Sequence, residues 1–299
     1  MKKKLLTMLV CLCIIMFAAC EDLGDDGGGN KMAKIEMIPV TGGSFDMGKN
    51  LPGSSGHITP VHKVTLSGFS ISKYPVTQDQ YKAVMGSNPS SFSSDPASGE
   101  VQGKRPVDSV NWYEAIVFCN KLSMQDKLNP AYSLKNSTDP SKWGSIPTGD
   151  SSVWDAVQIV SDSDGYRLPT EAQWEYAAKG GNPEEGWVGY TYSGSNTAGD
   201  VAWYSDNSGG KTHEVGKKKP NRLGLYDMCG NVWEWCWDWY GDYSSETQTN
   251  PTGAVSGDGR VKRGGNYNLT EQSARSVNRI YGYPPYGGDQ RPGFRLVRP

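Results

Sequence analysis

Helical periodicity surfaces at only three places in this chain, and each stretch is short. Thr77-Gln78-Asp79-Gln80 reads as a capping box, in which the Thr hydroxyl accepts from an orphan N–H and the Gln side chain reaches back. Tyr81, Val84 and Met85 then form a buried stripe that Gly86 ends. Asn111-Trp112-Tyr113-Glu114 opens a second helix, with Trp112, Ile116, Cys119 and Leu122 at helical spacing. Thr170-Glu171-Ala172-Gln173 opens a third, with Trp174, Ala177 and Ala178 inward and Gly180-Gly181 as its stop. Strands are short too. Residues 36–40 and 43–47 read as a hairpin around Thr41-Gly42, 62–71 as one strand, and 260–263 with 294–297 as a late pair. The rest, above all 123–165 and 181–222, is rich in Gly, Ser, Asp and Pro and has little period. Loops of that length in a compact domain usually carry function. No repeat of fixed period is present.

A chain built this way must fill its core with large side chains, and the composition supplies them. Ten Trp and sixteen Tyr stand beside only six Phe, with 37 Gly. Flat side chains with polar tips suit a loop-rich core and not a helical bundle. A formal net charge of −2 argues against nucleic acid as the main partner, because neutralising phosphates needs a surplus of Lys and Arg. A mean hydropathy of −0.58 argues against an integral membrane protein.

The N-terminus stands outside this pattern. Met1 to Lys4 is basic, and residues 5–19 are an apolar run too short to span a bilayer comfortably. Phe17-Ala18-Ala19-Cys20 resembles the bacterial lipobox. Residues 1–19 are therefore expected to be a lipoprotein signal peptide. Cys20 is the expected lipidated residue, and 20–33 is an acidic, Gly-rich tether. The implied location is the cell envelope, lipid-anchored and facing the cell surface. Cys119, Cys229 and Cys236 remain in the domain. An exported protein could bridge Cys229 and Cys236, but buried free thiols are the expectation.

From about residue 34 to the C-terminus a series of motifs carries a family resemblance. They include 42–48 (Gly42-Gly43 to Gly48), Tyr74-Pro75-Val76-Thr77 and Arg105-Pro106-Val107. Arg167-Leu168-Pro169-Thr170-Glu171 follows, then Asn221-Arg222-Leu223-Gly224 and Gly230-Asn231-Val232-Trp233-Glu234-Trp235. Arg263-Gly264-Gly265 and Gly293-Phe294-Arg295 close the series. In this order they resemble the formylglycine-generating-enzyme (sulfatase-modifying factor) family. The resemblance implies an α+β fold, a loop-rich variant of the C-type lectin fold, as one domain over 34–299. Most of the Gly, Trp, Arg and Glu in these motifs are expected to be scaffold.

The family's oxidases hold copper on two thiolates in the segment between Arg-Gly-Gly and Gly-Phe-Arg, and soft thiolates suit Cu(I). Here that segment runs from Gly264 to Arg295 and contains no Cys. His57, His62 and His213, the only three His, are too scattered to suggest the three-His iron site of a related branch and are expected at the surface. The expectation is a protein without catalysis and with no required cofactor; a metal-dependent oxidase or formylglycine-generating-type enzyme is the alternative. Asn231, the Val232 carbonyl and Glu234 resemble a structural calcium site of the family.

Residues 266–292 are instead rich in Tyr, Gly, Asn and Asp, which suit adaptable binding surfaces. Their pattern resembles the variable region of retroelement-diversified lipoproteins, placed here at 264–297. The expected contact patch is Tyr267, Asn268, Leu269, Thr270, Ile280, Tyr281, Tyr283, Tyr286 and Asp289. The ligand is expected to be a protein or cell-surface molecule, the membrane partner is reached through the lipid anchor, and nothing in the sequence demands an oligomer.

Overall fold

The computed structural model describes residues 34–49, 56–185, 189–282 and 292–299. The expected signal peptide, Cys20 and the expected tether lie outside the described residues.

The first four strands are β1 (Met37–Val40), β2 (Gly43–Met47), β3 (His62–Leu66) and β4 (Phe69–Ser72). Residues 37–40 and 43–47 do not pair as a hairpin. Strand β1 runs antiparallel to β4 and β2 antiparallel to β3, so the four form two arms of one bent ribbon. The register is the same on both sides of the bend, with Val40 opposite Phe69 and Gly43 opposite Leu66. The bend falls where Thr41-Gly42 passes Ser67-Gly68. A Cβ on Gly42 would stand 2.6 Å from the Leu66 carbonyl oxygen, so only glycine permits this approach. It also splits the single strand expected over 62–71.

The three expected helices are present with their caps. Helix α1 (Gln78–Met85) is capped by Thr77 and ended by left-handed Gly86. Helix α2 (Trp112–Gln125) has a capping box of Asn111 and Glu114. Two-residue strands β5 (Tyr132–Ser133) and β6 (Gln158–Ile159) pair with each other, with the one-turn helix α3 (Ser152–Asp155) between them. Helix α4 (Glu171–Ala178) is capped by Thr170 and Gln173. Gly180 and Gly181, both at positive φ, turn the chain away from it.

The C-terminal half adds α5 (Ala198–Val201), then β7 (Ala202–Trp203) parallel to β8 (Cys229–Gly230). Strand β9 (Glu234–Trp239) follows, then β10 (Gln248–Thr249), which joins β3. Strand β11 (Arg260–Arg263) lies between β9 and β12 (Arg279–Gly282). The last strand, β13 (Val297–Arg298), pairs with β4 rather than with 260–263.

Two large apolar clusters fill the domain. One gathers α1 and α2 with Trp143, Trp154, Trp235 and Phe294. The other packs the ribbon against α4, with Phe45, Phe69, Trp174 and Tyr176. Buried indole N–H groups find carbonyls, as Trp112 does on Cys236 and Trp235 on Val110. Cys119, Cys229 and Cys236 are buried free thiols, as expected.

Candidate functional site: a C-terminal segment held by three arginines

Strands β11 and β12 bound the first part of the segment, and three buried arginines fasten it. Arg263, at the end of β11, meets the carboxylate of Glu175 and donates Nη1 to the Asn278 carbonyl at 2.6 Å. Arg279, at the start of β12, takes both oxygens of Glu171, through Nε at 2.6 Å and Nη2 at 2.8 Å. Arg295 takes both oxygens of Glu234, at 2.6 and 2.9 Å, and donates to the carbonyls of Ser72 and Tyr226. Glu171 and Glu175 are four apart on α4, so one helix face holds two of the three pins. Burial works against the Glu175 carboxylate, but Lys179 and Arg263 hold its pKa below the usual range. Bidentate Arg–carboxylate pairs fix geometry as well as charge.

Between the pins the expected contact residues separate into two kinds. Asn268 and Thr270 are exposed, Leu269 and Ile280 are half-buried, and Tyr281 is 51% exposed. Tyr281 sits edge-on to Tyr240, with ring centroids 5.7 Å apart. Tyr267 departs from the expectation. It is 6% exposed, its ring stands edge-on to Phe92 at 5.0 Å, and its carbonyl accepts from the Ser208 hydroxyl at 2.7 Å. It is a footing of the loop and not part of its outer face. Glu271 and Gln272 are exposed beside Thr270. Tyr283, Tyr286 and Asp289 lie outside the described residues.

The expected calcium ligands do not fit a cation. Asn231 Oδ1 accepts from the His213 N–H at 3.0 Å, and its Nδ2 donates to the His213 carbonyl and to Asp227. Glu234 has both oxygens on Arg295 and also accepts from the Trp174 indole at 2.7 Å. A hard cation would have to displace a guanidinium from the same carboxylate.

The histidines also differ from expectation. His213 is buried, stacked on Trp203 at 3.8 Å and bonded to Glu100 at 2.7 Å. His62 is buried against Tyr243. Among the described residues no three His, Cys, Asp or Glu form a metal-holding group.

A loop-rich α+β domain with small sheets, three capped helices and arginine pins at its C-terminal segment defines the class. The model of the sulfatase-modifying factor enzyme 1-like domain matches residues 28–299, and the chain belongs to that family. The structure of Treponema denticola variable protein 1 superposes with a TM-score of 0.79 and 41% identity, covering 88% of this chain and 95% of that one. A protein named chaperone protein LppX, from Paenibacillus barcinonensis, is 36% identical over 99% of both chains. The formylglycine-generating enzyme of Mus musculus is 28% identical over 82% of this chain and 69% of its own.

Proposed function

We propose that this chain is a lipid-anchored, surface-displayed binding protein that has kept the family's scaffold without its chemistry. The observation that carries this reading is the pinned segment itself. Arg263, Arg279 and Arg295 are locked on buried glutamates, while Asn268, Thr270 and Tyr281 project to solvent between them. Such a frame lets outer side chains differ while the backbone stays put. The contact patch is then Asn268, Leu269, Thr270, Ile280 and Tyr281 with Tyr283, Tyr286 and Asp289, its aromatic members supplying most of the binding energy. Similarity to a protein named as variable supports diversification of this stretch.

The non-catalytic part of the reading rests on sulfur. No Cys lies between Gly264 and Arg295, where the family's oxidases carry their copper thiolates. The three remaining thiols of the domain are enclosed in its core.

The deciding experiment is to sequence the gene and its flanking DNA from many clones of one culture. Differences confined to codons 268–292, at adenines of a nearby repeat, are expected, with codons 263, 267, 279 and 295 constant. An invariant segment with no repeat nearby would remove the diversification. Cys20→Ala should leave the protein unlipidated and release it from the membrane fraction. Retention there would remove the lipid anchor.

A further inference from the structure

Most arginines among the described residues meet carboxylates or rings, and Arg167 does not. Arg263, Arg279 and Arg295 close on glutamates, and Arg260 lies over Trp112 and Trp239 at 3.8 and 3.5 Å. Arg167 donates Nη1 to the Leu168 carbonyl at 3.2 Å and to Gln173 Oε1 at 2.8 Å, both neutral acceptors. The arginine ion pairs among the described residues are those of Arg105, Arg222, Arg263, Arg279 and Arg295. Burial works against the charge of Arg167. Nearby Asp238 favours that charge, but the hydrogen bonds of this half-buried guanidinium go to neutral acceptors, which leaves it able to take an anion.

The space beside it has the shape for such a group. A cavity of about 290 Å³ is lined by Arg167 and Gln173 together with Leu66, Phe69, Ile159 and Pro251. Gln173 Oε1 accepts from both Arg167 Nη1 and the Thr170 N–H, which fixes the amide with Nε2 as its remaining donor. Ser67, Ser161, Ser163, Asn250, Thr252 and Pro299 also line the cavity, while Leu66, Phe69, Ile159 and Pro251 give it an apolar side. No lysine lines it, so a single guanidinium carries the positive charge. That suits a monoanion, whose two oxygens match the guanidinium fork, better than a phosphate dianion.

We propose that this cavity binds a small organic carboxylate with a compact apolar body. The carboxylate lies on Arg167 and Gln173, and the body packs on Leu66, Phe69 and Ile159. No lining residue belongs to 264–297, so the site is separate from the displayed segment and would stay constant while that segment varied.

The test is calorimetric titration of the whole mature protein with benzoate and with benzamide, its uncharged counterpart. Benzoate is expected to bind at least tenfold more tightly, and inorganic phosphate at equal concentration should not displace it. Gln173→Glu then supplies Arg167 with an internal carboxylate. Glutamate is a normal capping-box partner for Thr170, so the helix start is retained. That variant should lose benzoate binding while melting no lower than the parent. Three results would overturn the proposal: no benzoate binding by the parent, equal binding of benzamide, or unchanged binding by a folded Gln173→Glu. Displacement by phosphate would overturn the choice of a carboxylate.

Discussion

The side chain of Asn231 and the backbone of His213 exchange two hydrogen bonds, each 3.0 Å long, across 18 residues of sequence. Asn231 is fully buried and holds φ at +64°, a left-handed conformation that Asn tolerates better than most residues. Asn231→Ala leaves a buried N–H and a buried carbonyl without these partners, so a loss of about 3 kcal/mol is expected in urea unfolding. Because this amide is already committed, added calcium should leave the melting temperature unchanged. A calcium-dependent rise would mean that a cation takes the place of these bonds.

Tyr267 and Tyr281 of the C-terminal segment should behave oppositely. Tyr267→Ala empties a packed position against Phe92 and should cost about 3 kcal/mol. Tyr281→Ala removes a side chain that is half in solvent and should cost roughly 1 kcal/mol or less. Thermal or chemical unfolding of the two variants side by side measures the difference.

Arg279→Met leaves the Glu171 carboxylate buried without its bidentate partner. Breaking such a pair from one side costs about 3–5 kcal/mol, far more than the intact pair is worth against an apolar replacement. The double variant Arg279→Met with Glu171→Gln should recover part of that loss in the same unfolding assay. Failure to recover any would show that the pair is not the source of the cost.

Stability should fall as pH rises from about 4 toward 7. Burial pushes the Asp238 carboxyl up to about 7, helped by neighbouring Glu171, and burial pushes Asp227 up to about 6. A carboxyl whose pKa is raised on folding binds its proton more tightly in the folded chain. Its contribution is complete below its unfolded pKa of about 4 and is lost as pH passes the folded value. Asp238→Asn keeps an acceptor for the Glu171 N–H, which Asp238 now receives at 2.8 Å, and should flatten the decline. Unfolding curves at several pH values between 4 and 8 test the slope directly.

The thiols of the folded domain should resist alkylation. Burial pushes Cys229 up to about 12 and raises Cys119 and Cys236 as well. Mass spectrometry after iodoacetamide treatment should find Cys119, Cys229 and Cys236 unmodified in the native protein and all three modified in guanidinium.

The helix starts were legible in the sequence because capping is local. Thr77, Asn111 and Thr170 each satisfy their own first turn with a residue three positions on. The ribbon was not, because Thr41-Gly42 has the composition of a turn. What glycine does there is admit the Leu66 carbonyl, a neighbour no local pattern announces. The buried place of Tyr267 was hidden for a related reason: without a period, a loop gives no hint of which side chains turn inward. Arg263 and Arg295 stood out as motif residues and Arg279 did not, and the partners of the three lie 88, 108 and 61 positions away. Spacing rules do not reach that far.

Those separations also bear on how the chain matures. Helix α4 is made before the arginines that complete it, so Glu171 and Glu234 wait without their guanidinium partners, and Glu175 has only Lys179, until the last stretch is made. A protein truncated before residue 263 would lack all three arginines and leave the carboxylates of Glu171 and Glu234 without them. Any version of the C-terminal segment that keeps the three arginines keeps these partners as well. The three arginines thus act as a check on completeness that does not depend on the exposed side chains.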